Sequence, residues 1–151
     1  MTSKDRIKIY TKNAFYFQFK GQPVLLIGGS KMDSGFQLSE PIAHLEELKR
    51  VGGNYIRCTM SARHDGYVWP YVVDPETGLF DLTRWNEEYW QRFSSFLKRA
   101  AELDIIPQIE IWATWDYYSA VWPRHPYNPK NNVNYPTEGS GLLEEWDYNP
   151  G

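Results

Sequence analysis

The sequence predicts an α/β fold with a parallel sheet, in the order strand, helix, strand, helix, strand. Apolar runs typical of buried strands alternate with two amphipathic segments, each long enough to return the chain for parallel pairing. The links after the helices, VGG and LD, are very short, whereas those after the second and third strands are long. Long loops at the carboxyl ends of parallel strands are where α/β proteins place their sites.

The 151 residues suffice for one domain and are too few for two ordinary ones. We divide this single domain (1–151) into an N-terminal hairpin (1–22), a βαβαβ unit (23–112) and a long aromatic loop or tail (113–151). The net charge of −3 argues against a nucleic-acid partner. Aromatic residues make up 17% of the chain, too many for its core to hide, so some rings must line a groove or an interface.

The chain opens with a predicted hairpin that runs into the first strand of the sheet. Phe15, Phe17 and Phe19 alternate with polar or amphipathic residues, which is the period of a half-buried strand, and residues 20–22 make the turn. The run 24–27 is apolar throughout, as in a strand covered on both faces.

The first helix is predicted to follow Ser39, a candidate N-cap, with Pro41 in its first turn. Gly52 suits the left-handed position that ends such a helix. Its buried stripe consists of Ile42, Leu45 and Leu48.

The second helix is predicted over residues 86–103. Asn86 is its candidate cap, and Trp85 before the cap can pack on Trp90 as a hydrophobic staple. The inward face continues with Phe93, Leu97 and Ala100.

Strand alternation assigns the side chains of the second and third strands to two faces. The apolar set, expected to face the helices, is Ile56, Cys58, Met60, Ile109 and Ile111. The set on the other face is Tyr55, Arg57, Thr59, Gln108, Glu110 and Trp112. An open doubly wound sheet is covered by helices on both faces and therefore carries apolar residues on both. The inside of a (β/α)8 barrel near its mouth tolerates polar residues. The pattern therefore indicates a segment of an incomplete barrel.

Arg57 and Glu110 lie on adjacent strands and point to the same side, so we expect them to form an ion pair, because a lone buried charge is costly. Two interpretations stay open: a structural pair that ties two strands, or an arginine that also orients a substrate group or a catalytic carboxylate. Cys58, the only cysteine, is expected to be an inert core thiol.

The segment VGGNYIRCTM resembles the second strand of the cellulase-like superfamily of retaining (β/α)8-barrel glycoside hydrolases, in which a Gly-x-Asn-x-x-Arg segment supplies an arginine to the nucleophilic carboxylate. Gly53, Asn54 and Arg57 stand in that pattern, one residue tighter before the asparagine. GQPVLLIGGS resembles the opening strand, and residues 78–112 resemble the approach to helix two and strand three. The resemblance covers about residues 14–118.

The resemblance places the acid/base glutamate at the end of strand four and the nucleophile at the end of strand seven, beyond this chain. We therefore assign no catalytic residue within it and expect no glycosidase activity from the isolated chain. The resemblance implies that the intact form hydrolyses glycosidic bonds of a polysaccharide by a two-carboxylate mechanism. The alternative is a non-catalytic carbohydrate-binding or assembly subunit.

Sugar rings pack their C–H faces on aromatic planes, and their hydroxyls need polar partners. The residues predicted to bind an oligo- or polysaccharide are Arg57, Trp69, Trp112, Trp115 and Asp116, supported by Glu110 and Asn54. Asp33, Asp65 and Asp116 lie on strand-end loops, where a solvated carboxylate is the simplest role for each. The tail adds Trp122, Tyr117, Tyr118, Tyr127, Tyr135, Trp146 and Tyr148, which either join the cleft or pack the loop on itself.

We predict no metal site and no cofactor, because the three histidines are scattered and no nucleotide-binding glycine motif is present. No apolar stretch approaches the roughly 20 residues of a membrane span, and no signal peptide is recognisable, so the chain as written is expected to be cytoplasmic, or secreted if a leader was removed. Three parallel strands leave unpaired edges. We therefore expect self-association, or a second chain that completes the barrel.

Overall fold

The computed structural model describes residues 6–145, which form a mixed α/β structure of three small sheets and two α-helices. Both predicted helices and the second and third of the predicted parallel strands are present, and no closed barrel forms within residues 6–145. Trp146 and Tyr148 of the predicted aromatic tail lie outside the described residues.

The N-terminal sheet is antiparallel and contains the predicted hairpin with one further strand. β1 (Lys8–Ile9), β2 (Phe17–Phe19) and β3 (Gln22–Val24) pair in that order. Lys20 and Gly21 both have positive φ, at 49° and 82°, which is the backbone of a two-residue hairpin turn whose twist matches that of the strands.

The prediction of a continuous strand over residues 24–27 is wrong. β3 ends at Val24, and Leu25 and Ile27 are 64% and 55% exposed, because no element within residues 6–145 covers them. The segment is nevertheless held parallel to the next strand by a bridge between Gly28 and Tyr55. A Cβ at Gly28 would lie 1.6 Å from the Tyr55 carbonyl oxygen, so only glycine allows this approach.

Both helices form where they are predicted. α1 (Pro41–Arg50) starts from Glu40 without a side-chain cap, so the assignment of Ser39 as its N-cap is wrong by one residue. Its C-terminal Gly52 has the expected left-handed backbone, with φ of 86°.

α2 (Glu87–Glu102) is capped by the Asn86 side chain, which accepts a hydrogen bond from the backbone N–H of Glu88. The Trp85 ring meets that of Trp90 edge to face at 5.0 Å, and this contact confirms the staple. A cap of this kind stabilises a helix by about 1 kcal/mol.

The centre of the fold is the parallel pair of β4 (Tyr55–Thr59) and β7 (Ile106–Glu110), in register from Tyr55 opposite Ile106 to Thr59 opposite Glu110. Ile56 and Cys58 are fully buried against both helices. Burial raises the pKa of the Cys58 thiol to about 11, in agreement with an inert core thiol. The rest of the core consists of Phe36, Leu45, Leu48, Tyr89, Phe96, Ala100 and Ile105, with Met60, Phe93, Leu97 and Ile109 packed on it.

The prediction that Ile111 faces the helices is wrong, and Thr59 is more buried than its predicted place on the face away from the helices implies. Ile111 is 84% exposed, since β7 ends at Glu110 and the alternation ends with it. Thr59 is fully buried because the chain around Ser34 folds over it: the two hydroxyls lie 2.9 Å apart, and the Thr59 N–H donates to the Asp33 carbonyl.

The long loop after β4 contains a hairpin of its own, made by β5 (Tyr71–Val73) and β6 (Phe80–Trp85). Its turn is the DPETG segment, residues 74–78, in which the Asp74 carboxylate accepts hydrogen bonds from the backbone N–H groups of Glu76 and Thr77. Tyr71 of this hairpin packs on Tyr127 of the aromatic tail, with ring centres 5.9 Å apart.

Candidate functional site

The side of the β4–β7 pair that faces away from the helices, called the open face below, carries Tyr55, Arg57, Gln108 and Glu110. The Arg57 guanidinium forms the predicted ion pair with Glu110 through two hydrogen bonds. Nε donates to Oε1, and Nη2 donates to Oε2 at 2.7 Å. The side chains of Arg57 and Glu110 are 50% and 26% exposed. The pair therefore forms as predicted but is not buried, because the described residues leave this side uncovered.

The Arg57–Glu110 pair is one end of a longer chain of charges. Arg57 Nη1 lies 3.7 Å from Asp33 Oδ1, and the other oxygen of Asp33 accepts a hydrogen bond from Arg63 Nη1 at 2.5 Å. Arg63 Nε in turn donates to Asp116 Oδ1 at 2.7 Å. These five residues, called the charge network, alternate in sign from Glu110 to Asp116. Each guanidinium thereby lies between two carboxylates, an arrangement that fixes its direction.

The far end of the charge network is buried. The side chains of Arg63 and Asp116 are only 11% and 4% exposed. Asp116 sits in a short 3₁₀ helix, Thr114–Tyr117, which aims its carboxylate at Arg63. A solvated role for Asp116 is therefore wrong, whereas the Asp33 side chain is 43% exposed and Asp65 is exposed.

A cleft of about 810 Å³ opens above the charge network, within the range of about 300–1,000 Å³ for ligand sites. Its lining consists of Asp33, Arg57, Arg63, His64, Glu110, Trp112, Ala113, Thr114, Trp115, Ala120, Val121 and Arg124. The Trp112 and Trp115 side chains are both 48% exposed. The Arg63 guanidinium lies 4.9 Å from the centre of the Trp115 ring, a cation–π contact that supports this tryptophan from one side.

Trp69 lies apart from that cleft. It lines a smaller cavity of about 230 Å³ with Trp112, Asp116 and rings of the β5–β6 hairpin. Its ring packs edge to face on His125 at 4.9 Å and on Phe80 at 6.3 Å. The structure thus brings together Arg57, Trp112 and Trp115 of the predicted binding residues, and it leaves Trp69 with Asp116 in the neighbouring cavity.

Most rings of the described tail pack against each other. Tyr117 stacks on Trp122 with ring centres 4.6 Å apart, and Tyr127 stacks on Trp112 at 5.2 Å. Trp122 is 2% exposed, and its indole N–H donates to the Leu143 carbonyl at 2.9 Å. For these residues the interpretation that the loop packs on itself is the one that the structure supports.

His125 is a titratable group whose pKa is altered by this packing. Burial among the rings lowers its pKa from 6.5 to about 4, so the imidazole is neutral at pH 7. Its Nδ1 accepts a hydrogen bond from the backbone N–H of Tyr127 at 3.1 Å, which fixes that nitrogen as the unprotonated one.

Asn54, predicted as a supporting residue, joins two segments below the cleft. Its Oδ1 accepts from the Ile27 N–H at 2.8 Å, and its Nδ2 donates to the Leu25 carbonyl at 2.9 Å. Residues 25–27 do not form a strand, and the Asn54 side chain supplies these two hydrogen bonds to their backbone. It therefore acts on the scaffold of the cleft and does not line it.

Sequence reasoning missed Arg63 and Arg124. Arg63 joins the two aspartates, and Arg124 Nη2 donates to the Arg63 carbonyl oxygen at 2.7 Å. The available signal was an arginine four residues beyond a strand end, among loops that carry three aspartates. Within residues 6–145 no group of three His, Cys, Asp or Glu side chains could hold a metal ion, and no helix there is long and apolar enough to cross a membrane.

No protein-family profile matches the chain, and the search of curated proteins found no similar sequence. Among solved structures, the chain is similar to a protein from Bacteroides vulgatus ATCC 8482 provisionally described as a glycoside hydrolase. The TM-score is 0.55 at 13% identity, over 76% of this chain and 25% of that one. At this identity the likeness shows a shared fold. The chain spans about a quarter of the length of that structure.

Proposed function

We propose that this chain is part of a carbohydrate-active protein with a glycoside-hydrolase-like barrel, and that the cleft above the charge network binds an oligo- or polysaccharide. In the intact form the barrel would hydrolyse glycosidic bonds by a two-carboxylate mechanism. The observation that carries the proposal is the pairing of half-exposed tryptophans with fixed charged groups in one cleft of about 810 Å³. The structural likeness to a protein provisionally described as a glycoside hydrolase supports it.

The tryptophans and the charged residues of the cleft have different proposed roles. Trp115, backed by Arg63, offers a flat apolar surface for the C–H face of a sugar ring, and Trp112 offers a second beside it. Arg57 and Glu110 are the polar groups with enough exposure to reach sugar hydroxyls. A sugar ligand role for Asp116 needs a rearrangement that exposes it, since its side chain is 4% exposed beside Arg63.

The described residues alone lack a suitable general acid. An acid catalyst must carry a proton to the leaving oxygen, whereas Asp33, Glu110 and Asp116 each accept a hydrogen bond from an arginine. We expect no turnover of aryl glycosides by this chain. Turnover that disappears in Glu110→Gln or Asp116→Asn would contradict this expectation and identify the substitute catalyst.

Binding is tested by titrating the chain with a panel of oligosaccharides, followed by calorimetry and tryptophan fluorescence. Trp115→Ala should weaken binding about tenfold, the effect of losing roughly 1.4 kcal/mol of ring contact. The matched control is Trp85→Ala, which removes a similarly exposed tryptophan (59%) that lies on the β5–β6 hairpin and does not line the cleft. Equal effects of both variants, or no binding of any oligosaccharide by the unmodified chain, would refute the proposal.

A second candidate, a non-catalytic assembly subunit, is favoured by the exposed apolar side chains around the N-terminal sheet. Phe15 is 98% exposed, and Ile9, Leu25 and Ile27 exceed 50%. Such a surface is typical of an interface, with another copy or with further strands of a barrel. Light scattering distinguishes the possibilities: a chain that stays a folded monomer at high micromolar concentration has no need of a partner there.

A further inference from the structure

The arginines of the cleft differ in how their charge is compensated. Arg57 and Arg63 each lie beside two carboxylates of the charge network. Arg124 is exposed, and its guanidinium contacts a backbone carbonyl, that of Arg63; no carboxylate of residues 6–145 lies within ion-pair distance of it. One positive charge on the cleft wall is therefore left without a counter-ion from the described chain.

The hydrogen bond to the Arg63 carbonyl also fixes where that charge lies. The Arg63 side chain supports the Trp115 ring at 4.9 Å, and the Arg63 main chain holds Arg124 Nη2 at 2.7 Å. The tryptophan surface and the uncompensated guanidinium are thus tied to the same residue and line the same cleft. The remaining N–H groups of Arg124 form a planar fork whose geometry matches a carboxylate or a sulfate.

The balance of charge on the lining points the same way. Arg57, Arg63 and Arg124 line the cleft together with the carboxylates of Asp33 and Glu110. Asp116, the third carboxylate of the charge network, is buried behind Arg63 and lines the neighbouring cavity. The three carboxylates of the charge network compensate Arg57 and Arg63, so Arg124 is the guanidinium of the cleft lining that a ligand meets without an adjacent carboxylate, next to an aromatic surface.

We propose that the cleft is selective for an anionic sugar, whose acidic group is bound by Arg124 while its ring packs on Trp115. This inference rests on the proposed carbohydrate-binding function and adds the class of ligand. A carboxylate, as in a uronic acid, and a sulfate ester present the same chemistry to a guanidinium.

The test compares binding of an oligogalacturonide with its fully methyl-esterified form, which keeps the rings and removes the charge. A sulfated galactan oligosaccharide and its desulfated form make the second pair. We expect at least one acidic member to bind roughly tenfold or more tightly than its neutral partner, the effect of one charge-assisted hydrogen bond, and the difference to shrink as salt rises. Whichever pair shows the difference identifies the acidic group.

Arg124→Gln should abolish that preference and leave binding of the neutral member within about twofold, because it removes the charge and leaves Trp115 with its Arg63 support in place. Arg124→Lys should keep part of the preference. The matched control is Arg84→Gln, which removes an exposed arginine on β6, outside the cleft. Equal effects of Arg84→Gln and Arg124→Gln would reject Arg124 as the anchor.

Failure of the proposed selectivity can be distinguished from failure of the proposed binding function. Tight binding of neutral oligosaccharides with no preference for either acidic partner would overturn the selectivity and leave the binding function standing. No binding by any member of the panel would overturn both. Loss of acidic and neutral binding together in Arg124→Gln would show that Arg124 only holds the loop.

Discussion

The two faces of the β4–β7 pair are made by alternating residues of the same strands, and they behave in opposite ways. On the face packed against α1 and α2, Ile56 and Cys58 are fully buried among apolar side chains. On the open face, Arg57 and Glu110 remain 50% and 26% exposed and are held by each other. The packed face stabilises the fold by burial, and the open face leaves charged groups accessible to solvent.

The two faces therefore contribute different amounts of free energy to the stability of the fold. Burial of a side chain such as Ile56 stabilises a fold by about 1.5–3 kcal/mol, and its loss also leaves a cavity. A half-exposed ion pair contributes about 0–1 kcal/mol, since solvent screens it. Neighbouring positions in one strand can therefore be changed to separate the contribution of burial from that of a half-exposed ion pair.

The largest expected effect comes from Ile56→Ala. It should lower the free energy of unfolding by about 2–5 kcal/mol, because the surrounding core of Phe36 and Leu45 cannot fully collapse into the cavity. Arg57→Ala, its neighbour on the open face, should cost about 1 kcal/mol or less. Urea titrations of the two variants measure the difference; equal losses would mean that the open face is covered in solution.

The second effect is a loss of stability in acid that arises from the buried His125 of the aromatic tail. The pKa of His125 is about 4 in the folded chain and 6.5 when unfolded. Below pH 6.5 the unfolded chain takes up a proton that the folded chain does not. Stability therefore falls as the pH drops from about 6.5 to 4, by up to roughly 3 kcal/mol.

His125→Asn keeps an acceptor for the Tyr127 N–H and removes the titration. We expect its unfolding free energy to vary less between pH 7 and pH 4.5 than that of the unmodified chain. The matched control is His64→Asn, which replaces an exposed histidine outside this packing. The same slope in all three proteins would show that His125 is accessible to solvent.

The smallest expected effect on stability comes from breaking the Arg57–Glu110 ion pair. Glu110→Gln should lower stability by about 1 kcal/mol or less, and the loss should diminish at high salt, because both partners keep access to water. A double-mutant cycle with Arg57→Gln isolates the coupling. A loss of several kcal/mol would place the pair in a buried setting and would indicate that another part of the protein covers the open face.

Two ion pairs show why prediction succeeded for one part of the site and not for another. Arg57 with Glu110 and Arg63 with Asp116 are each separated by 53 positions in the chain. The first pair was predicted because both residues lie in strands, where alternation gives the face and parallel pairing gives the neighbour. The second lies in two irregular loops, where no period relates position to direction.

The sequence by itself determined the elements that depend on near neighbours. The Asn86 cap, the Trp85–Trp90 staple, the left-handed Gly52 and the faces of Ile56 and Arg57 follow from short-range sterics and fixed periods. Only the tertiary structure decided that Arg63 joins Asp33 to Asp116, that Ile111 is exposed and that Trp69 lies in a second cavity. These outcomes depend on how long loops fold over the strand ends, because long-range packing and mutual charge compensation select among many loop conformations that the local sequence permits equally.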